Sequence, residues 1–197
     1  LLSVSGVTAV TASPQDLSVC EGSSATFQVT AAGASLTYQW QRSTDGGNTW
    51  TTVSGATGSQ YTLTGITLAM DGDQYRCIVN GTCTPSTATS NAATLSVVSA
   101  LSITQQPQSQ IVCNGTNASF SITALGVSMY QWQVSTDGGS SWSTITGATN
   151  TTYTLTAPGL GLSGNLYRCV VSGSCGTANS ASATLTVNPI TAIAQQP

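Results

Sequence analysis

Three groups of residues in this sequence have types and spacings that chemistry could use. The first is Ser43-Thr44-Asp45-Gly46-Gly47-Asn48-Thr49-Trp50, a hydroxyl, a carboxylate, two glycines and an indole, which Ser135 to Trp142 nearly repeats with Ser141 in place of Thr. The second is Asp71-Gly72-Asp73, where paired carboxylates suggest Ca²⁺. Two carboxylates supply too few oxygens for a site of about six to eight ligands. The corresponding Ser163-Gly164-Asn165 has no carboxylate. A turn before a strand accounts for both, and we assign no metal site. The third is six cysteines, three in each half of the chain.

Composition removes most catalytic readings. Of 197 residues only three Arg, five Asp and one Glu carry charge, and there is no His or Lys. Without His the chain lacks the commonest general base and metal ligand. No Ser has a His, a Lys or a paired acid to activate it, so nucleophilic catalysis lacks its base. We therefore expect no enzyme, no catalytic residue and no cofactor. Three cations cannot neutralise enough phosphates to hold nucleic acid, and they make no basic patch for an anionic membrane. No run of 18 apolar residues exists, so no membrane insertion is expected. Ser and Thr together fill 61 positions, which gives a neutral, hydrated surface. The start at Leu1 has no signal-peptide pattern and the end at Pro197 no terminating feature. We read the chain as a piece of something longer.

The sequence repeats itself. Cys20, Trp40, Asp45, Trp50, Tyr61, Tyr75, Cys77 and Cys83 return as Cys113, Trp132, Asp137, Trp142, Tyr153, Tyr167, Cys169 and Cys175, offset by 93 residues for the first pair and 92 for the others. Pro14 returns as Pro107 and again as Pro197. The expected division is 1–6 as the end of a preceding repeat or linker, 7–98 and 99–188 as two repeats, and 189–197 as the start of a third. The joints are short and not Gly/Ser-rich, which predicts touching domains with limited bending.

Within each repeat the apolar period is two. Ala25-Thr26-Phe27-Gln28-Val29, Tyr38-Gln39-Trp40, Tyr61-Thr62-Leu63 and Tyr75-Arg76-Cys77-Ile78-Val79 alternate, and Asp45-Gly46-Gly47, Ser54-Gly55 and Asn80-Gly81 punctuate them. Short strands at about ten-residue spacing predict an all-β fold of two tandem sandwiches.

Those residues resemble immunoglobulin-like domains. Glu21 to Val29 resembles the approach to strand B, and Tyr38-Gln39-Trp40-Gln41 resembles strand C with its buried Trp. Asp71 to Cys77 resembles the tyrosine corner and strand F. Val112-Cys113-Asn114-Gly115, Tyr130-Gln131-Trp132 and Gly164 to Cys169 repeat the pattern. The resemblance implies that Trp40, Trp132, Tyr75 and Tyr167 are structural core. Val29 and Ile122 stand where the strand B cysteine belongs, so the usual inter-sheet disulfide is absent. The wording Val-Cys-x-Gly, Tyr-Gln-Trp-Gln, Ser-Thr-Asp-Gly-Gly, Tyr-Arg-Cys is similar to tandem Ig-like repeats of very large surface proteins of Bacteroidetes. Such proteins serve as adhesins or filament components, often exported by the type IX route. That resemblance implies an extracellular or cell-surface location.

Ser43 to Trp50 also matches the Asp-box pattern of sialidase-type propellers, but a propeller needs blades of about 45 residues. The physical reading is a hairpin. Asp45 and Asp137 accept turn N–H groups, the glycines take positive φ, and Trp50 and Trp142 pack back over the loop. The rival reading makes Trp50 and Trp142 an exposed sugar-stacking platform. Arg76 and Arg168 should point outward with their stems over apolar surface. The sequons at Asn80, Asn114, Asn117 and Asn150 are of a kind that chance supplies in a chain so rich in Ser, Thr and Asn.

Three cysteines per repeat leave one over in any domain-internal pairing. An Ig-like topology puts Cys20 near the C-terminal end of its domain and Cys83 near the N-terminal end, roughly 30 Å apart. A disulfide spans about 6 Å between Cα atoms. This suggests a staple from Cys20 to Cys175 between neighbouring repeats, with Cys83 and Cys113 pairing to repeats outside the chain and Cys77 and Cys169 left as buried thiols. The alternative is a hairpin bridge, Cys77–Cys83 and Cys169–Cys175. Either pairing implies an oxidising location.

The expected function is mechanical, a non-catalytic stalk segment of a large adhesin-like protein that spaces a distal domain from the cell. The expected partners are neighbouring repeats of the same chain, and a surface glycan or protein. Two alternatives stay open, a glycan-binding adhesion module and an accessory region of a secreted hydrolase.

Overall fold

The computed structural model describes residues 6–191. The expected linker 1–6 and third-repeat opening 189–197 lie mostly outside the described residues, as does Pro197. The chain divides between Ser99 and Ala100 into two units.

The first unit follows the period of two. Its strands are β1 (Ala9–Ala12), β2 (Leu17–Cys20), β3 (Ala25–Gln28), β4 (Thr30–Ala32), β5 (Thr37–Ser43), β6 (Thr51–Thr52), β7 (Gln60–Leu63), β8 (Gln74–Asn80), β9 (Thr87–Thr89) and β10 (Ala93–Val98). One sheet runs β2-β10-β8-β5-β6, with β9 also on β8. The opposite layer pairs β1 with β4 and β3 with β7. β3 and β4 are one run of chain with Val29 between them, and the Val29 N–H donates to the Ser59 carbonyl at 2.9 Å, one place beyond the Gln28–Gln60 pair in the β3–β7 register, before β4 turns to β1. All pairings are antiparallel except one: β2 lies parallel to β10, Leu17 opposite Leu95 through Cys20 opposite Val98.

The second unit builds the same sandwich. Its strands are β11 (Ser102–Gln105), β12 (Gln110–Cys113), β13 (Ala118–Ser121), β14 (Thr123–Leu125), β15 (Met129–Ser135), β16 (Ser143–Thr144), β17 (Thr152–Leu155), β18 (Leu166–Gly173), β19 (Gly176–Asn179) and β20 (Ala183–Asn188). The sheet order β12-β20-β18-β15-β16 and the parallel β12–β20 pair reproduce the first unit.

Alternation fixes which residues enter each core. On β8, Tyr75, Cys77 and Val79 are buried while Gln74, Arg76 and Ile78 face outward. Phe27 stacks on Tyr75 at 4.8 Å between ring centroids, and Trp40 packs against Phe27 and Tyr61. Phe120, Trp132, Tyr153 and Tyr167 form the same cluster in the second unit. Each fully buried large side chain of this kind contributes about 1.5–3 kcal/mol. The buried indole N–H groups are satisfied, Trp40 donating to the Gly58 carbonyl and Trp132 to the Asn150 carbonyl, each at 2.9 Å.

Candidate functional site

The hairpin after β5 is held by its acid. Asp45 Oδ1 accepts the Thr49 backbone N–H at 2.9 Å and the Ser43 hydroxyl at 2.7 Å, and Oδ2 accepts the Thr49 hydroxyl at 2.6 Å. Ser43 Oγ in turn accepts the Gly47 N–H at 2.9 Å. Gly46 and Gly47 sit at φ of 70° and 89°, where a side chain would be strained. These donors, the Thr49 hydroxyl foremost, pull the Asp45 carboxyl from its ordinary 3.8 down to about 2. Asp137 receives the same contacts from Ser135 and Ser141 and is likewise depressed, most by the Ser141 hydroxyl. Each motif carboxylate is thus occupied by its own loop.

The indoles do not stand free. Trp50 Nε1–H donates to the Gly47 carbonyl at 2.9 Å, which folds the ring back over the hairpin. One face of Trp50 carries the Arg76 guanidinium, Cζ 4.1 Å from the ring centroid, and one face of Trp142 carries Arg168 at the same distance. The reading of both rings as an exposed sugar-stacking platform is corrected to that extent: both are half-buried, and each has a face covered by Arg. The guanidinium Nε–H of Arg76 donates to Gln41 Oε1, and that of Arg168 to Gln133 Oε1, both at 2.9 Å.

Asp71 and Asp73 separate in role. Asp71 Oδ1 accepts the Val97 N–H at 2.8 Å, pinning the turn to β10. Asp73, 4% exposed, accepts the Arg42 Nε–H at 2.8 Å, with the Nη2 of that ion pair 2.6 Å away, and the Tyr75 hydroxyl donates to it at 3.5 Å. Burial, with the Asp73 charge second, pushes the Tyr75 phenol well above its usual range. In the second unit Val134 and Asn165 occupy the corresponding positions. Beside the ion pair lies an open groove of about 400 Å³ lined by Arg42, Val53, Tyr61, Leu63, Met70 and Tyr75. Its counterpart, also about 400 Å³, is lined by Val134, Ile145, Tyr153, Leu155, Leu162 and Tyr167. Neither groove is lined by a carboxylate or a thiol. Among the described residues no cluster of three or more acids, His or Cys is placed to hold a metal.

The cysteines fall into two classes. Cys77 and Cys169 are buried free thiols, directly across the ladder from Trp40 and Trp132. Burial pushes both thiols up, away from the reactive thiolate. Cys83 and Cys113 are also free, the first half-buried and the second exposed. The hairpin alternative, Cys77–Cys83 and Cys169–Cys175, is therefore not formed. Cys77 faces the core in mid-strand, whereas Cys83 lies beyond the end of β8, and Cys169 is likewise a free core thiol.

The remaining cysteine positions are polar in the literal sense. Cys20 ends β2 opposite Val98, beside the point where the chain leaves the first unit. Cys113 ends β12 opposite Asn188 in the same way. Cys83 accepts the Thr8 hydroxyl on its carbonyl at 3.4 Å, beside the first described strand. Cys175 lies in the tight turn between Gly173 and Gly176. There Gly173 is pressed against the Gly126 carbonyl so closely that a Cβ would collide, just past the pairing of Leu125 with Ser102 at the unit's start. The sequon side chains are partly engaged: Asn80 Oδ1 accepts Thr87 Oγ1–H, and Asn117 Oδ1 accepts the Ala157 N–H.

Sequence reasoning missed the Arg42–Asp73 pair and the Arg–Trp stacks. The stacks had a signal, since an outward Arg at the position after each corner Tyr recurs with the hairpin Trp. The ion pair had none, because its partners are 31 residues apart and only one repeat has it.

Comparison with known proteins supports the fold. A family model described as "Domain of unknown function (DUF8696)" matches residues 8–99 and again 103–189. No curated protein matches the chain. Among solved structures, an I-band fragment of titin is similar at 18% identity and a TM-score of 0.60, over 93% of this chain and 66% of that one. The first two Ig domains of DIP-gamma align at 13% identity and 0.55, over 92% and 98%. The four N-terminal Ig domains of Dscam1 align at 21% and 0.54, over 88% of this chain but only 43% of theirs. At these identities the likeness shows an immunoglobulin-like fold in tandem.

Proposed function

From the premise that this chain belongs to the DUF8696 family, twice over along its length, we propose that it is a non-catalytic structural segment. In this reading it is a stretch of extracellular stalk in a large adhesin-like surface protein, with a disulfide staple from Cys20 to Cys175 joining its two repeats. The observation that carries the reading is the placement of sulfur within each unit. Cys20 and Cys113 sit where the chain leaves a unit, and Cys83 and Cys175 where it begins one. Cys77, Cys83, Cys113 and Cys169 are free thiols, so the staple competes with no other bridge. In a longer array Cys83 and Cys113 would make the same link to flanking repeats. Such a bridge restricts the unfolded chain and adds about 2–4 kcal/mol, and it needs an oxidising compartment. Repetition of one sandwich then builds length from nearest-neighbour contacts.

Peptide mapping without reduction tests the staple: a linked peptide pair holding Cys20 and Cys175 is expected. Small-angle scattering of oxidised and reduced protein tests the rod, with reduction expected to broaden the distribution of intramolecular distances. Cys20 found with any other partner, or identical scattering in both states, would overturn the reading.

A further inference from the structure

The chain holds three cations, and their surroundings differ. Arg42 is neutralised by Asp73. Among the described residues no carboxylate pairs with Arg76 or Arg168. Each is instead immobilised by neutral groups, its Nε–H on a Gln carbonyl oxygen and its plane over an indole. The strand register extends this into a row. Arg76 on β8 stands opposite Gln41 on β5, and Gln41 opposite Thr52 on β6. In the second unit Arg168, Gln133 and Thr144 repeat the row. Its outward aim follows from alternation, since Tyr75 and Cys77 on either side of Arg76 are buried.

What the row offers is almost wholly donors: the terminal guanidinium N–H groups, the Gln amide N–H₂ and an exposed Thr hydroxyl. The one acid of the adjoining hairpin, Asp45, has its oxygens committed to Ser43 and Thr49. A fixed positive charge among donors is complementary to an anion. The planar guanidinium edge fits the two oxygens of a carboxylate. Because Gln and Trp already hold the guanidinium, little side-chain freedom is lost when a ligand docks.

We propose that each repeat binds one carboxylate of an acidic polysaccharide, a uronate chain, through Arg76 in the first unit and Arg168 in the second. One cation per site suits either kind of acidic polymer, and the neutral groups beside it choose between them. Gln and Thr suit sugar hydroxyls, which both donate and accept. A polymer with a carboxylate on each sugar can engage successive repeats, so individually weak sites gain through avidity. This inference does not rest on the stalk reading: a rod without affinity for glycan, or a binding module without a staple, are separate outcomes.

The test titrates the isotope-labelled two-repeat protein with oligogalacturonate by NMR. The Trp50 and Trp142 indole N–H and the Arg76 and Arg168 Nε–H signals are expected to shift together, while the buried Trp40 indole stays fixed. R76Q should remove the first-unit shifts and weaken overall binding about tenfold, and R76Q/R168Q should abolish it. R76K, which keeps the charge and loses the fork, should fall between wild type and R76Q. Equal shifts with the methyl-esterified oligomer would mean neutral sugar on the indole. Equal shifts with poly-glutamate would mean an acidic peptide. Either result, or binding retained by the double variant, overturns the proposal.

Discussion

Replacing Arg42 by Val while leaving Asp73 in place isolates the energetics of the Arg42–Asp73 ion pair. Asp73 is 4% exposed, accepts the Arg42 Nε–H at 2.8 Å and has Nη2 of the same guanidinium 2.6 Å away; without Arg42 the Tyr75 hydroxyl at 3.5 Å remains. A buried carboxylate stripped of its partner costs about 3–5 kcal/mol, and we expect R42V near the lower end because the groove beside it admits water. D73N should cost about 1–2 kcal/mol, since the amide oxygen still accepts from Arg42 and the Arg side chain is 36% exposed. The double variant R42V/D73N should return to within about 1 kcal/mol of wild type. Its rationale is internal to the molecule, because Val134 and Asn165 occupy those positions in the second unit, which builds the same core. The assay is native-state hydrogen exchange in urea read at the Trp40 amide, bonded to the Ala56 carbonyl, with the Trp132 amide as the unperturbed control. If the double variant costs the sum of the two single variants, the reasoning about an orphaned charge is wrong.

Three further outcomes are expected. Because the folded-state pKa of Asp45 is lowered from 3.8 to about 2, the hairpin's stabilisation is present above about pH 4 and lost as pH falls towards 2. Protection of the Thr49 amide, its exchange rate taken relative to the unstructured rate at the same pH, should fall across that window and be absent at all pH values in D45A. S90A should cost about 1–3 kcal/mol, since Ser90 Oγ accepts the buried Cys77 N–H at 2.9 Å and leaves it orphaned when removed; urea melts check this, with S180A as its twin. Iodoacetamide should alkylate Cys83 and Cys113 in the native protein and spare Cys77 and Cys169 until denaturant is added, read by mass spectrometry.

Much of the fold was legible because its signals are local. Alternation around Trp40 and Cys77 placed both in the core, and the register sets them opposite each other. Ser43 to Trp50 was legible as a hairpin because hydroxyl, acid and glycines meet within a few residues. What escaped was non-local. Nothing near Leu17–Cys20 announces a parallel partner at Leu95–Val98, and β6 is two residues long, too short for a period. Asp73 looked like an ordinary turn acid because its worth depends on Arg42 across the sheet. The hairpin-bridge alternative failed for a related reason: six residues of sequence look close, but a core-facing side chain in mid-strand and a residue in the following turn point to different places.

The parallel clasp of β2 on β10, repeated as β12 on β20, has a mechanical corollary. A pull on the two ends of a unit drags these strands past each other along their length. All the rungs between them are then strained at once instead of peeling in succession. Rupture must break them together, so tension delivered along the chain meets each sandwich in its most resistant direction.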